Sequence, residues 1–252
     1  MLKKMRHEKI GETTPMENEE LERKTRQLEE IGYDALRKGA YEDAEKSFTQ
    51  AIAIYAGLGD GEKKASLLQV VSTIQFITEK MDEALRTQTE ILSIYEQSRN
   101  VLYQARALNN IGLINVGRKR HQDALDSFRK ASDLFQDAND KLGIAEQWTN
   151  IGSVYRDTER HQDALDSYLK VLPLYYEIGD PEKTGDQLTN IGYIHSMKGD
   201  LKEALKWYGD ALPLYEQSGN QEKAEITRKN ILTAEAALGG GSAPRNSIGS
   251  EP

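Results

Sequence analysis

Four asparagines stand 40 residues apart: Asn110, Asn150, Asn190 and Asn230. A primary amide offers two donors and an acceptor, so it can pair with a peptide group of any sequence. Side chains at spacings of four, three and four residues accompany the first three. These sets are Arg106, Asn110, Leu113, Gly117; then Glu146, Asn150, Ser153, Asp157; then Asp186, Asn190, Tyr193, Met197. On a helix, such spacings keep each set on one face. The chemistry on offer is reversible recognition. The amides suit a backbone, and Arg106 and Arg156 suit acidic groups. Glu146, Asp157 and Asp186 suit basic groups, and Tyr193 and Met197 suit apolar ones. Two other accounts stay open: amides that tie neighbouring helices together, and tolerated polar filler. Asparagine is a mediocre helix former, so its recurrence asks for a reason.

Bond-making chemistry has no comparable constellation. There are four histidines and no cysteines, so disulfides, cysteine metal sites and thiol catalysis are excluded. His121 and His161 share a column with Tyr41, Met81 and Leu201, which predicts packing rather than metal ligation. His195 shares one with Tyr155, and His7 lies in an N-terminal arm. No HExxH, GxSxG, GxxxxGK[ST] or calcium-loop pattern occurs. The glycine-rich stretch at 57–61 follows a helical pattern, not a strand, and reads as a turn. The remaining carboxylates scatter over helix surfaces. No catalytic site, metal or cofactor is expected. The run Arg118-Lys119-Arg120-His121 reads as a solvated turn, with contact to an acidic partner as the alternative.

The elements that position these residues follow from the same 40-residue period. Residues 121–127 read HQDALDS and residues 161–167 repeat them letter for letter. Ala44, Ala84, Ala124, Ala164 and Ala204 are in register, as are Ile111-Gly112, Ile151-Gly152 and Ile191-Gly192. A fixed period in this range marks stacked structural units. The units are 21–60, 61–100, 101–140, 141–180 and 181–220, with a remnant at 221–238. Each unit ends in Asp60, Asn100, Asp140, Asp180 or Asn220, residues suited to cap a helix N-terminus. Gly59, Gly179 and Gly219 stop the preceding helix, and Pro181 fits a first helical turn. A second break falls mid-unit, near 38–39, 80–81, 120–121, 160–161 and 199–200. Each unit is therefore a pair of antiparallel helices, A then B.

Helix A carries Leu108, Ile111, Gly112 and Asn115 on one stripe, and helix B carries Ala124, Phe128, Ala131 and Phe135. Both stripes have the period of a buried helical face. Gly32, Gly112, Gly152 and Gly192 let the helices approach, and Phe48, Phe128, Tyr168 and Tyr208 fill the space opposite. The second unit departs, with Ser72 for glycine, Gln88 for the aromatic and Ile91 for alanine. Pro173 and Pro213 fall inside helix B and predict a bend there. Trp207 interrupts a column otherwise filled by Ser47, Thr87, Ser127 and Ser167. It reads as a possible second contact on a polar surface column, or as packing near the terminal helix. The remnant keeps Ile231 and Leu232 in core columns. It carries Arg228 and Glu235 where unit five has Leu188 and His195, which turns one face to water as a cap does.

These residues resemble the tetratricopeptide repeat. The pattern Leu-x-x-Ile-Gly, then Gly/Lys-x-Tyr/His-x-x-Ala-x-x-Phe/Tyr-x-x-Ala, recurs over about residues 20–238. The 40-residue unit is longer than that family's usual one. It is similar to the units of kinesin light chains, of G-protein-linked spindle scaffolds and of bacterial signalling receptors. The resemblance implies an all-α, right-handed superhelical solenoid of five antiparallel helix pairs plus a capping helix. It implies that helix A lines a concave groove, where asparagines like Asn110, Asn150, Asn190 and Asn230 hold an extended peptide. Glu29 and Tyr33 stand where a chaperone-tail clamp would need Lys and Asn, so that ligand class is not expected.

The net charge is −8, from 33 basic and 41 acidic residues, which argues against a nucleic-acid or anionic-membrane binder. No stretch is long and apolar enough for a membrane span, and 1–15 has no apolar run of a secretory signal. A mobile arm is expected over 1–16, a solenoid over 17–238, and a disordered tail or linker over 239–252. The expected protein is soluble and cytoplasmic. Its expected function is a non-enzymatic scaffold or adaptor that binds a protein or peptide. The alternatives are a self-associating homo-oligomeric module and the sensory, peptide-binding part of a signalling system.

Overall fold

The computed structural model describes residues 15–239. The expectations for the N-terminal arm, for His7 and for the tail beyond Gly239 lie outside them. Among the described residues every regular element is helical. The helices are α1 (Pro15–Arg37), α2 (Tyr41–Leu58), α3 (Gly61–Ile77), α4 (Met81–Gln97), α5 (Val101–Gly117) and α6 (His121–Asp137). They continue as α7 (Lys141–Asp157), α8 (His161–Ile178), α9 (Pro181–Met197), α10 (Leu201–Ser218) and α11 (Gln221–Leu238). The helices fall in two compact units, α1–α4 and α5–α11. Within each unit, every helix packs on its neighbours in sequence.

Turns of two or three residues join the helices, and two devices form them. The first is the cap. Asp60, Asn100, Asp140, Asp180 and Asn220 each accept a hydrogen bond from the backbone N–H three residues on. Each satisfies a first-turn donor that the helix itself cannot. The second is a left-handed residue that stops the preceding helix. Gly179 takes it at φ +76°, where glycine carries no side-chain penalty. Elsewhere the chain imposes the same conformation on side chains, as at Lys119 and Glu159 with φ +57° and +58°. That conformation costs roughly 1–2 kcal/mol for a residue with a Cβ.

The pairs interlock where helix A lacks a side chain. A Cβ on Gly112 would lie 2.4 Å from the Phe128 ring, and one on Gly152 would lie 2.5 Å from Tyr168. Gly32 against Phe48 and Gly192 against Tyr208 repeat the arrangement. All four rings are fully buried, as is the alanine column from Ala44 to Ala204. Burying one such side chain is worth about 1.5–3 kcal/mol, so these rings are main anchors of each pair. The second helix pair, α3 and α4, solves the problem differently. Ser72 keeps a side chain, no ring opposes it, and Gln88 (1% exposed) donates from Nε2 to Ser72 Oγ at 3.0 Å. Beside it, Thr87 donates to Gln75 Oε1, and Gln75 Nε2 donates to Glu45, which also pairs with Lys80. A hydrogen-bonded polar layer thus replaces the ring.

Two expectations need correction, those for the serine column and for Leu232. At the two prolines where a bend is expected, α8 runs on through Pro173 and α10 through Pro213. Both prolines lie on the exposed side, where the freed carbonyl four residues earlier can face water. The column of Ser47, Thr87, Ser127 and Ser167 is buried rather than a surface. Ser47, Ser127 and Ser167 turn their hydroxyls back to the carbonyl four residues before, which satisfies them locally. Leu232 is 63% exposed, not in a core, because no helix covers its side of α11 among the described residues.

Two stability series test these contacts. Gln88→Phe alone should destabilise by about 1–3 kcal/mol, because the ring meets the Ser72 side chain. Adding Ser72→Gly should recover most of that loss in urea unfolding, whereas additive losses would refute the interlock. The Tyr208 hydroxyl is buried with no hydrogen-bond partner, while that of Tyr168 meets Ser153 Oγ at 3.2 Å. Tyr208→Phe should therefore be neutral or stabilising, and Tyr168→Phe should cost about 0.5–1.5 kcal/mol.

Candidate functional site

In the second compact unit, α5, α7 and α9 bring the predicted stripes together. Three polar links on this side join α5 to α7, α7 to α9 and α9 to α11. Asn150 Nδ2 donates to Asn109 Oδ1 at 3.1 Å, joining α7 to α5, and Asn109 in turn donates to Asn110 Oδ1. Lys183 Nζ meets Glu146 Oε1 at 2.9 Å, joining α9 to α7. Lys223 Nζ meets Asp186 at 2.8 Å and Glu182 at 2.9 Å, joining α11 to α9. Asp186 also accepts from the Tyr215 hydroxyl at 2.8 Å. Burial lowers the proton affinity of Lys183 and Lys223, but their carboxylate partners outweigh it and leave both raised. Both stay charged, so the links hold at neutral pH. Burial pushes the Tyr215 and Tyr168 hydroxyls up, which keeps them neutral.

These links decide which predicted residues are available. Glu146 and Asp186 are held by lysines and cannot also serve as open sites for basic groups. Arg156 is half-buried, and its Nε meets Asp157 Oδ1 at 2.9 Å, so each neutralises the other. Ser153 is engaged by Tyr168. Asn150 does what the competing account proposed, tying two A helices together. Asn230 is only 6% exposed, so the fourth asparagine of the column is not presented as the first three are. Trp207 packs against the main core of this unit, and its indole N–H is buried without a partner. This is the packing that the sequence offered as one of two readings; the ring is half-buried, so part of it stays at the surface.

Other residues of the stripe reach the surface at least in part. Arg106 is exposed and lies over the ring of Tyr103 on its own helix, 5.3 Å from the centroid. Leu113 is 41% exposed and Met197 50%, both on the stripe that carries the amides. Asn110, Asn190 and Tyr193 are half-buried, each with part of its surface open. His121, His161 and His195 are partly buried, as the column identity predicted for the first two. Among the described residues no cluster of His, Cys, Asp or Glu could hold a metal ion.

Comparison by 40-residue column missed the lysine links. Lys183 and Lys223 lie 37 residues after Glu146 and Asp186, one helical turn short of a repeat. A search for opposite charges at that offset would have found them. Asn109 was missed because its neighbour Asn110 carries the periodic signal.

The fold resembles that of solved helical repeats. Aspartyl phosphate phosphatase F from Bacillus subtilis is similar at TM-score 0.75 and 14% identity, over 87% of this chain and 57% of that one. A Rap protein complexed with Competence and Sporulation Factor is similar at TM-score 0.56 and 14% identity, over 88% and 66%. The kinesin light chain TPR-like repeats of Podosopora anserina are similar at TM-score 0.64 and 10% identity, over 77% and 96%. The chain thus spans about three-fifths to two-thirds of the first two. Comparison with curated proteins gives no match. No helix among the described residues is long and apolar enough to cross a membrane. The model of the tetratricopeptide repeat matches residues 71–137, 103–177 and 143–217, more than half of the sequence, and the chain belongs to that family.

Proposed function

We propose that this protein is a non-enzymatic scaffold whose A-helix face on α5, α7 and α9 binds an extended peptide or partner segment. One observation carries this reading. Leu113 and Met197 expose large apolar side chains beside the amides of Asn110 and Asn190, at positions where the packing of the stack requires neither. Single exposed apolar residues are ordinary, but here they share a helical stripe with amides suited to a backbone. The Rap protein complexed with Competence and Sporulation Factor has a similar fold, which supports a solenoid of this kind holding a partner. With Glu146 and Asp186 occupied by lysines, Arg106 is the charge on the stripe with no carboxylate partner among the described residues. The amides fix a peptide's path, and Leu113, Tyr193 and Met197 select apolar side chains from it.

Selection from a displayed random-peptide library tests this. The wild type should enrich a sequence family that the Asn110→Ala, Asn190→Ala double variant binds about tenfold more weakly, at roughly 0.5–1.5 kcal/mol per hydrogen-bonding amide. Met197→Glu should shift or abolish the apolar preference, with helicity unchanged by circular dichroism. Equal enrichment by wild type and double variant would refute the assignment.

A further inference from the structure

The outer face of α11 presents a surface that the peptide face does not use. The helix buries Ala224, Thr227, Asn230 and Ala234 and turns Glu225, Lys229, Leu232, Glu235 and Ala236 outward. Leu232 occupies the column of Gly32, Gly112, Gly152 and Gly192, where a helix-B ring crosses the bare backbone of helix A. There, even a Cβ would lie within 3 Å of the ring. A leucine leaves no room for that ring, so a helix B of the usual kind cannot cover this face. Whatever covers Leu232 must meet it in another way.

The charges around Leu232 point to the occupant. Lys229 lies three residues before it and Glu235 three after. Both are exposed, and neither has an ion-pair partner among the described residues. Arg228, by contrast, is engaged by Glu216 and Glu225. A twofold axis through Leu232 would set a second α11 antiparallel to the first. Each Lys229 would then face Glu235 of the other copy, because residues at equal distances before and after the axis meet. The surface is complementary to itself.

We propose that the outer face of α11 docks a second copy of this chain, α11 antiparallel to α11, with Leu232 at the axis and two Lys229–Glu235 pairs beside it. This is independent of the peptide-binding reading. One helix pair buries less than the roughly 1,200 Å² of a stable interface, so the dimer is weak and forms at high concentration. Sedimentation equilibrium of the full chain, from low micromolar to about millimolar, tests it. The average mass should rise toward twice the monomer, and Leu232→Glu should hold it at the monomer value throughout. Lys229→Glu and Glu235→Lys should each weaken association roughly tenfold, since each breaks two pairs and sets like charges together. The double variant Lys229→Glu, Glu235→Lys restores both pairs with reversed sign and should dimerise like wild type. A wild type that stays monomeric, a dimer indifferent to Leu232→Glu, or a double variant no better than the single ones would each overturn the proposal.

Discussion

The stack depends on one steric bargain: helix A gives up its side chain at the point where the ring of helix B must cross. With Gly112 or Gly152 in place, a whole aromatic side chain is buried against the backbone. That contact fixes the distance between the helices and their register. The alanine column then follows, because helices held so close leave room there for a methyl group only. The second helix pair shows how strict the constraint is. Once Ser72 retains a side chain, the ring is absent and Gln88 hydrogen-bonds in its place. The Gln88 NH2 is satisfied by Ser72 and Gln69, while its buried Oε1 has no partner, a cost that the ring does not carry.

The interlock is local to each pair, so something else must join one pair to the next. Apolar contacts do most of that, as in the continuous core from Phe128 through Ile151 and Tyr168 to Ile191. On the A-helix side, polar links add to it: Asn150 to Asn109, Lys183 to Glu146, and Lys223 to Asp186 and Glu182. These are partly exposed, and such pairs contribute modestly to stability. Their larger effect is on the chemistry of the surface. They neutralise the acidic residues that the stripe would otherwise present, and they leave Arg106, Leu113, Tyr193 and Met197 at least partly exposed on it.

The fold was legible in the sequence because it is written in residues compared with their own equivalents. The Gly–aromatic columns, the caps from Asp60 to Asn220 and the left-handed stop at Gly179 all recur at one interval. The candidate site was legible only in part. The stripe from Arg106 to Met197 does assemble on α5, α7 and α9. Yet the lysine links run at 37 residues, off the repeat interval, so comparing columns could not show Glu146 and Asp186 as occupied. The serine column was misjudged for another reason. A hydroxyl bonded to its own helix can be buried as cheaply as an alanine, so polarity there did not mean exposure. Leu232 was misjudged because its column is buried only where a helix B crosses it, and none does so among the described residues.

Columns repeated by size build the stack, and we propose that the amide stripe meets the partner. The side-chain NH2 signals of Asn110, Asn190 and Asn230 in a nitrogen–proton NMR spectrum, recorded during titration with a selected peptide, test it most directly. Asn110 and Asn190 should shift with the peptide while the buried Asn230 stays still. Saturable peptide binding with no change at Asn110 and Asn190 would contradict it.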